Sequence, residues 1–319
     1  MDYLHEDTLI GHDAPRNFLA RSFNDPRHHA YLFAGSEHLG KDTVARAFVS
    51  GFIGAPVGDW SELAANPDVA VLKRDDDKKS IGVLEMRVFL KNFATSSFGG
   101  GVKIGVVLDA HELSIEASNA FLKTLEEPAG RSLFILLADD VSKIPATVAS
   151  RSAVLRFLPV AERDIVNGLL VRGYGREEAS AAAREANGRP GLALKMLADK
   201  KFFLARREAA AEFMSFAAMP LCSRLAGAVA YAEEQENPKE FGRLFDVWLS
   251  LLRDVFLVKT GNRDLLANVF AEEKIAAIAN ALSLGKIRSA LLAVVAGKGF
   301  VAANVNPRLI IENIALALS

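Results

Sequence analysis

"HAYLFAGSEHLGKDTVARAFVSGFI", residues 29–53, is the stretch on which the fold turns. An apolar run ends at Gly35, a polar turn follows, and beyond it Val44, Phe48 and Phe52 recur at helical spacing. This order reads as a buried strand, a loop and an amphipathic helix. The loop meets the pattern G-x-x-x-x-G-K-[S/T] at Gly35, Gly40 and Lys41, and departs from it at Asp42. A Gly-rich turn at a helix start aims backbone N–H groups at an anion, the helix dipole adds to the attraction, and the lysine reaches terminal phosphates. The hydroxyl that normally ligates Mg²⁺ is missing, because position 42 carries a carboxylate. Asp42 could ligate magnesium, but it would also repel a triphosphate. Thr43 brings a hydroxyl one residue late, rotated about 100° around the helix, which is the wrong direction for the same ion. An ordinary strand-to-helix turn with an N-capping Asp would leave a similar string.

Outward from this loop, "DVAVLKR" (68–74), "KIGVVLD" (103–109), "SLFILLA" (132–138) and "AVLRF" (153–157) are further strand candidates. "VLEMRVFLKNFAT" and "SIEASNAFLKTLEE" lie between them with helical periodicity. Near-continuous apolar strands alternating with helices predict an α/β domain whose parallel sheet is covered on both faces. After residue 158 the strand signal stops. "VAERDIVNGLLVRGYG" and "REEASAAAREANGRPG" read as two helices and "GLALKMLADK" opens a third. From residue 201 the pattern is all helix, with breaks expected near Pro220, Asn237-Pro238, Gly261-Asn262, Gly285 and "GKG" at 297–299. The expected division is an α/β domain over 1–158, a small helical lid over 159–200 and an all-α domain over 201–319.

The 319 residues carry 38 Lys and Arg against 39 Asp and Glu, so contact with nucleic acid would need a local patch rather than global charge. "KMLADKKFFLARR" (195–207) gathers Lys195, Lys200, Lys201, Arg206 and Arg207, and is read first as a solvated helix face. The start has no basic region followed by an apolar run, so no signal peptide is expected. No apolar stretch approaches the roughly 18 residues that span a bilayer. The single cysteine, Cys222, excludes an internal disulfide and a four-cysteine zinc module, and a reducing cytoplasm is the expected setting.

A second stretch bears on the loop's chemistry. P-loop hydrolases hold Mg²⁺ with an Asp at a strand end, and many add an adjacent Glu that polarises water. Here "VVLDAHEL" supplies Asp109, but Ala110 follows, and Glu112 stands three positions on. The missing neighbour agrees with the missing hydroxyl at 42.

"SNAFLKTLEEP" (118–128) and "PATVASRS" (145–152), taken with the loop, resemble the bacterial clamp-loader ATPases of the AAA+ superfamily, the group of the DNA polymerase III gamma/tau and delta-prime subunits. "LIGHDAPRNFLARSF" resembles that family's opening helix and "VNPRLIIENIALAL" its final collar helix. The resemblance implies an AAA+ P-loop domain, a helical lid and an oligomerising collar. Where the gamma/tau lid reads G-S-x-R-D-A-L, with an Arg that senses the terminal phosphate, this chain reads "GRPGLAL" (188–194) with Gly191 at the Arg position, as the delta-prime type does. Asp42, Ala110 and Gly191 therefore depart together, toward a subunit that keeps the ATPase fold without hydrolysis. By the same resemblance, Arg151 of "SRS" is an arginine finger that acts in trans on a neighbour's ATP; a surface Arg paired with a nearby acid is the plainer alternative.

The function so implied is help in loading the sliding clamp onto primed DNA. The partners are gamma/tau- and delta-type subunits in a hetero-pentameric ring, and there is no membrane. Gly35, Gly40, Lys41, Asp42, Thr43 and Asp109 would form a degenerate nucleotide site with at most weak binding of ATP, ADP or phosphate. The zinc module that many members carry after the P-loop helix is absent from "GFIGAPVGDWSELAANPDV". Two rivals stand beside this reading. One is a gamma/tau-type motor that hydrolyses ATP itself. The other is a different AAA+ machine, such as a branch-migration helicase.

Overall fold

The computed structural model describes residues 3–5, 9–23, 28–75, 77–93, 97, 101–128, 130–234, 238–303 and 305–319. Its residues group into two compact units, Met1–Ala183 with Gly188–Leu192, and Arg184–Asn187 with Ala193–Ser319. The stretch 159–200, expected as a separate lid, is thus shared between the two.

In the first unit α1 (Asp13–Ser22) precedes β1 (Ala30–Ala34) and α2 (Lys41–Ile53). Then come β2 (Val69–Leu72), α3 (Val83–Lys91), β3 (Lys103–Val107), α4 (Ile115–Glu126) and β4 (Ser132–Ala138). The short α5 (Ala146–Ala149), β5 (Ala153–Arg156), α6 (Glu162–Val171) and most of α7 (Arg176–Ala186) follow. All five strands run parallel, in the order β2-β3-β4-β1-β5. Each lies within the run expected for it, because a strand covered on both faces leaves an unbroken apolar segment in the sequence. Along β1, Tyr31 and Phe33 join one core cluster with Val44 and Phe48 of α2, while Ala30 and Leu32 join a second with Met86 of α3 and Phe121 of α4. Alternate side chains thus serve the two faces.

The second unit contains most of α8 (Pro190–Ala198), then α9 (Lys200–Ala218), α10 (Leu221–Glu234), α11 (Pro238–Lys259), α12 (Glu272–Ala281), α13 (Leu284–Ala302) and α14 (Pro307–Ala317). Its core centres on Trp248, fully buried, with the rings of Phe213, Phe216 and Phe245 at 5.0, 5.5 and 5.6 Å. Leu244, Leu251 and Leu252 line the same cluster, as their spacing predicts. Buried Asp254 accepts hydrogen bonds from the backbone N–H groups of Ala267 and Asn268, which ties the segment after α11 to that helix.

One expected break is met and one is corrected. The break expected near Gly285 falls at 282–283, between α12 and α13, whereas "GKG" at 297–299 lies inside α13 and does not interrupt it. Gly285 falls in its first turn, after Ser283 caps it. At Gly297 a Cβ would stand 2.8 Å from Ile310 Cγ2 and 3.3 Å from a Phe245 ring carbon, so this glycine allows close packing rather than ending the helix. The break expected at Asn237 lies outside the described residues, though α11 does open at Pro238. No single helix among the described residues is long and apolar enough to cross a membrane.

Candidate functional site

The loop between β1 and α2 lies where the sequence puts it, at the C-terminal edge of the sheet. Gly40 has φ 100°, a left-handed conformation that a side chain would strain. Gly35 is required for a different reason, because a Cβ there would meet the Phe157 carbonyl at 2.5 Å. His12 anchors the loop from outside: its Nε2 donates to the Leu39 carbonyl at 2.6 Å, and its ring lies 4.8 Å from that of Phe157. Burial is the main reason the His12 imidazole titrates below its usual 6.5; the bond to Leu39 opposes that shift and Arg16 adds to it.

Three contacts decide what the loop can do. The Lys41 ammonium donates to the Gly35 carbonyl at 2.8 Å, to the Ser36 carbonyl at 3.4 Å and to Asp139 Oδ1 at 3.2 Å. An ammonium has three donors, so all are committed. Asp42 turns away from any metal role: its Oδ1 accepts from the Trp60 indole N–H at 2.6 Å, and its Oδ2 accepts from Arg46 Nε at 3.0 Å. The start of α8 closes the third side. The Gly191 N–H donates to the His38 carbonyl at 2.8 Å, and a Cβ at 191 would approach that oxygen to 2.9 Å. The bare backbone of Gly191 is what lets the first turn of α8 touch the loop. Thr43 stands in the first turn of α2, half-buried.

Asp109 follows β3, which β4 separates from β1. It caps a short turn at 110–112 without a side-chain bond to it, and accepts weakly from the Arg74 backbone N–H at 3.4 Å. The strand end beside the loop is that of β4, and it carries Asp139. Asp139 Oδ2 lies 3.3 Å from His111 Nε2, and His111 in turn lies 3.7 Å from Glu112 Oε1. Sequence reading missed Asp139, His111 and Trp60. The signal for Asp139 was the "ADD" ending the fourth strand, but its meaning depends on strand order. Lys41 and both oxygens of Asp42 are thus bonded within the chain. Among the described residues no group of three His, Cys, Asp or Glu is arranged to hold a metal ion.

Arg151 stands at the other end of the sheet. In the β1–β5 register Tyr31 faces Ala153, so Arg151 lies level with the start of β1, while the loop leaves its end. By strand rise this is a separation of roughly 20 Å. Arg151 pairs with Glu126 of the "LEEP" stretch and donates from Nη1 to the Thr147 carbonyl at 2.9 Å. Beside it, His29 Nε2 donates to the Leu125 carbonyl at 2.6 Å and ties the C-terminus of α4 to the start of β1.

The basic stretch 195–207 is the solvated face expected only in part: Lys200 and Lys201 are exposed, but the two arginines are not. Arg206 is buried and its Nε donates to Glu185 Oε1 at 3.3 Å, while Arg207 reaches Glu185 Oε2 at 2.7 Å and lies 3.4 Å over the Phe270 ring. Charge pairing and ring stacking withdraw both from solvent.

Residues 12–161 match a family model described as "DNA polymerase III, delta subunit". Over 91% of this chain and 90% of the relative, the sequence is 24% identical to the delta' subunit of DNA polymerase III from Bacillus subtilis. The chain is thus similar to subunits of bacterial DNA polymerase III. The tau/gamma subunit of Haemophilus influenzae is 33% identical over 45% of this chain and 22% of its own length. The chain spans between about a fifth and a half of the gamma and tau subunits it matches. Among solved structures, a gamma-subunit-related protein of Thermotoga maritima aligns over 94% of this chain and 97% of its own, with TM-score 0.43 and 18% identity. The matched segment contains the loop, "NAFLKTLEEP" and Arg151.

Proposed function

We propose that the chain is a delta-prime-type clamp-loader subunit that does not hydrolyse ATP and lends Arg151 to a neighbouring ATPase. The observation that carries this reading is the placement of Arg151 at the sheet edge opposite its own loop. An arginine there is out of reach of a phosphate at its own chain's loop, which leaves it available to another subunit's. Its pair with Glu126 is no obstacle, since both side chains are a third to a half exposed and such pairs are worth roughly 0–1 kcal/mol. A phosphate at a neighbour's site would compete for it readily. The engaged Lys41 and Asp42 support the absence of hydrolysis, and the match to a delta' subunit over nine-tenths of both chains supports the type.

In this reading the partners are gamma/tau- and delta-type subunits in a hetero-pentameric ring, in the cytoplasm. Through the ring the chain acts on the sliding clamp and primed DNA, and any binding of ATP, ADP or phosphate at its own loop is weak. A second reading, a gamma/tau-type motor, is favoured by one observation, the higher identity to tau and gamma subunits over the loop-bearing part of the chain.

The deciding experiment compares Arg151→Ala with the unaltered chain in a reconstituted clamp-loader complex. ATP turnover and clamp loading should fall at least about tenfold, within the range an arginine finger supplies, while the melting temperature of the isolated chain changes little. Unchanged turnover by the complex would sink the proposal. Magnesium-dependent turnover by the isolated chain, abolished by Lys41→Ala, would favour the motor instead.

A further inference from the structure

Three neighbouring strands of the sheet, β3, β4 and β1, end side by side, and just beyond their ends stand His111, Asp139 and Lys41. Asp139 bridges the other two: Oδ1 lies 3.2 Å from the Lys41 ammonium and Oδ2 lies 3.3 Å from His111 Nε2. Lys41 is 13% exposed and Asp139 33%, so the pair is only partly screened by water. The ammonium that would meet a phosphate meets this chain's own carboxylate. We propose that Asp139 is a built-in anion for Lys41, held in place by His111, and that it sets the loop's poor affinity for phosphate and nucleotide. This rests on the reading of the loop as idle, and goes beyond it by naming the residue responsible.

The alternative culprit is Asp42, the visible departure from the loop pattern. Its charge is already offset by Arg46 at 3.0 Å and its other oxygen is tied to Trp60. Asp139 has no comparable release, because its cationic partner is the loop lysine itself. A phosphate approaching Lys41 must displace the carboxylate and then remain beside it, and like charges so juxtaposed oppose binding.

The test uses the full chain. Calorimetric titration with inorganic tripolyphosphate and with ADP, both without magnesium, compares the unaltered chain with Asp139→Asn, Asp139→Ser and Lys41→Ala/Asp139→Asn. Asparagine keeps the size of the side chain, and serine provides a second neutral replacement should asparagine unfold the protein. The expected result is binding of tripolyphosphate at least about tenfold tighter in a folded single variant, with the gain lost in the double variant. Unchanged affinity in a folded single variant overturns the inference. So does a gain that persists without Lys41, or loss of the fold in both single variants, which would make the pair structural. Turnover of magnesium ATP by the unaltered chain, measured alongside, separates the two failures. If turnover is seen, the reading of the loop as idle falls too; if it is absent and affinity is unchanged, only the role of Asp139 falls.

Discussion

Gly191 illustrates how one side chain's absence can be a contact. Its N–H reaches the His38 carbonyl because no Cβ stands in the way. His38 itself holds φ 65°, a left-handed conformation uncommon for a residue with a side chain, so the loop's backbone has little freedom to yield. Gly191→Ala should therefore destabilise the chain by about 1–3 kcal/mol, although alanine normally favours a helix. Urea unfolding checks this, and a stabilised variant would mean that the loop moves aside. Gly191→Arg would meet the same obstruction, so it should destabilise the chain at least as much. Arg151 is the opposite case: a part-exposed arginine whose only acidic partner among the described residues, Glu126, is itself half exposed.

Helix α2 and the short turn at Trp60–Ala65 are joined by Asp42. The residue that breaks the phosphate-loop pattern is the one that pins the following segment through the Trp60 indole, and Arg46 extends the junction from the same helix. Asp42→Ala should cost about 1–2 kcal/mol and release Trp60. Trp248, the other tryptophan, is fully buried in the second unit and provides a constant background. A red shift in tryptophan emission of the folded variant is the expected signature; an unchanged spectrum would argue that Trp60 is held by packing alone. The loop between β1 and α2 depends equally on α1, whose preceding residue His12 supports Leu39.

His12 also gives the first unit a pH dependence. Burial holds its folded-state titration below the 6.5 of an unfolded histidine. As pH falls through 6.5 the unfolded chain takes up a proton that the folded chain refuses. The stability contributed by neutral His12 is thus complete above 6.5 and is lost progressively as pH drops toward the lowered folded value. Urea unfolding at pH 7.5, 6.5 and 5.5 should show this loss, and His12→Asn, which tolerates the left-handed backbone at position 12 (φ 62°), should flatten it. An equal slope in the variant would assign the dependence to other groups. In the second unit two buried acids are paired: Asp254 with backbone N–H groups, and Glu185 with Arg206 and Arg207.

The strands, most helix spans and the phosphate-type loop were legible in the sequence because each is written in local periodicity. Apolar runs mark strands covered on both faces, a 3.6-residue recurrence marks helices, and Gly35, Gly40 and Lys41 sit at a fixed spacing. Where the reading failed, a local signal carried a non-local meaning. "GKG" looked like a helix break, yet Gly297 makes room for Ile310, and Arg206 and Arg207 looked solvated, yet they meet Glu185 more than twenty residues away. The state of the loop was of this second kind. Only the strand order brings Asp139 and His111 beside Lys41, and only the packing of a later turn gives Asp42 its partner in Trp60. The sequence determined that a phosphate-type loop would form, because neighbouring residues suffice to build it. The tertiary structure decided what fills it, because the charges that meet there come from segments whose adjacency no local pattern encodes.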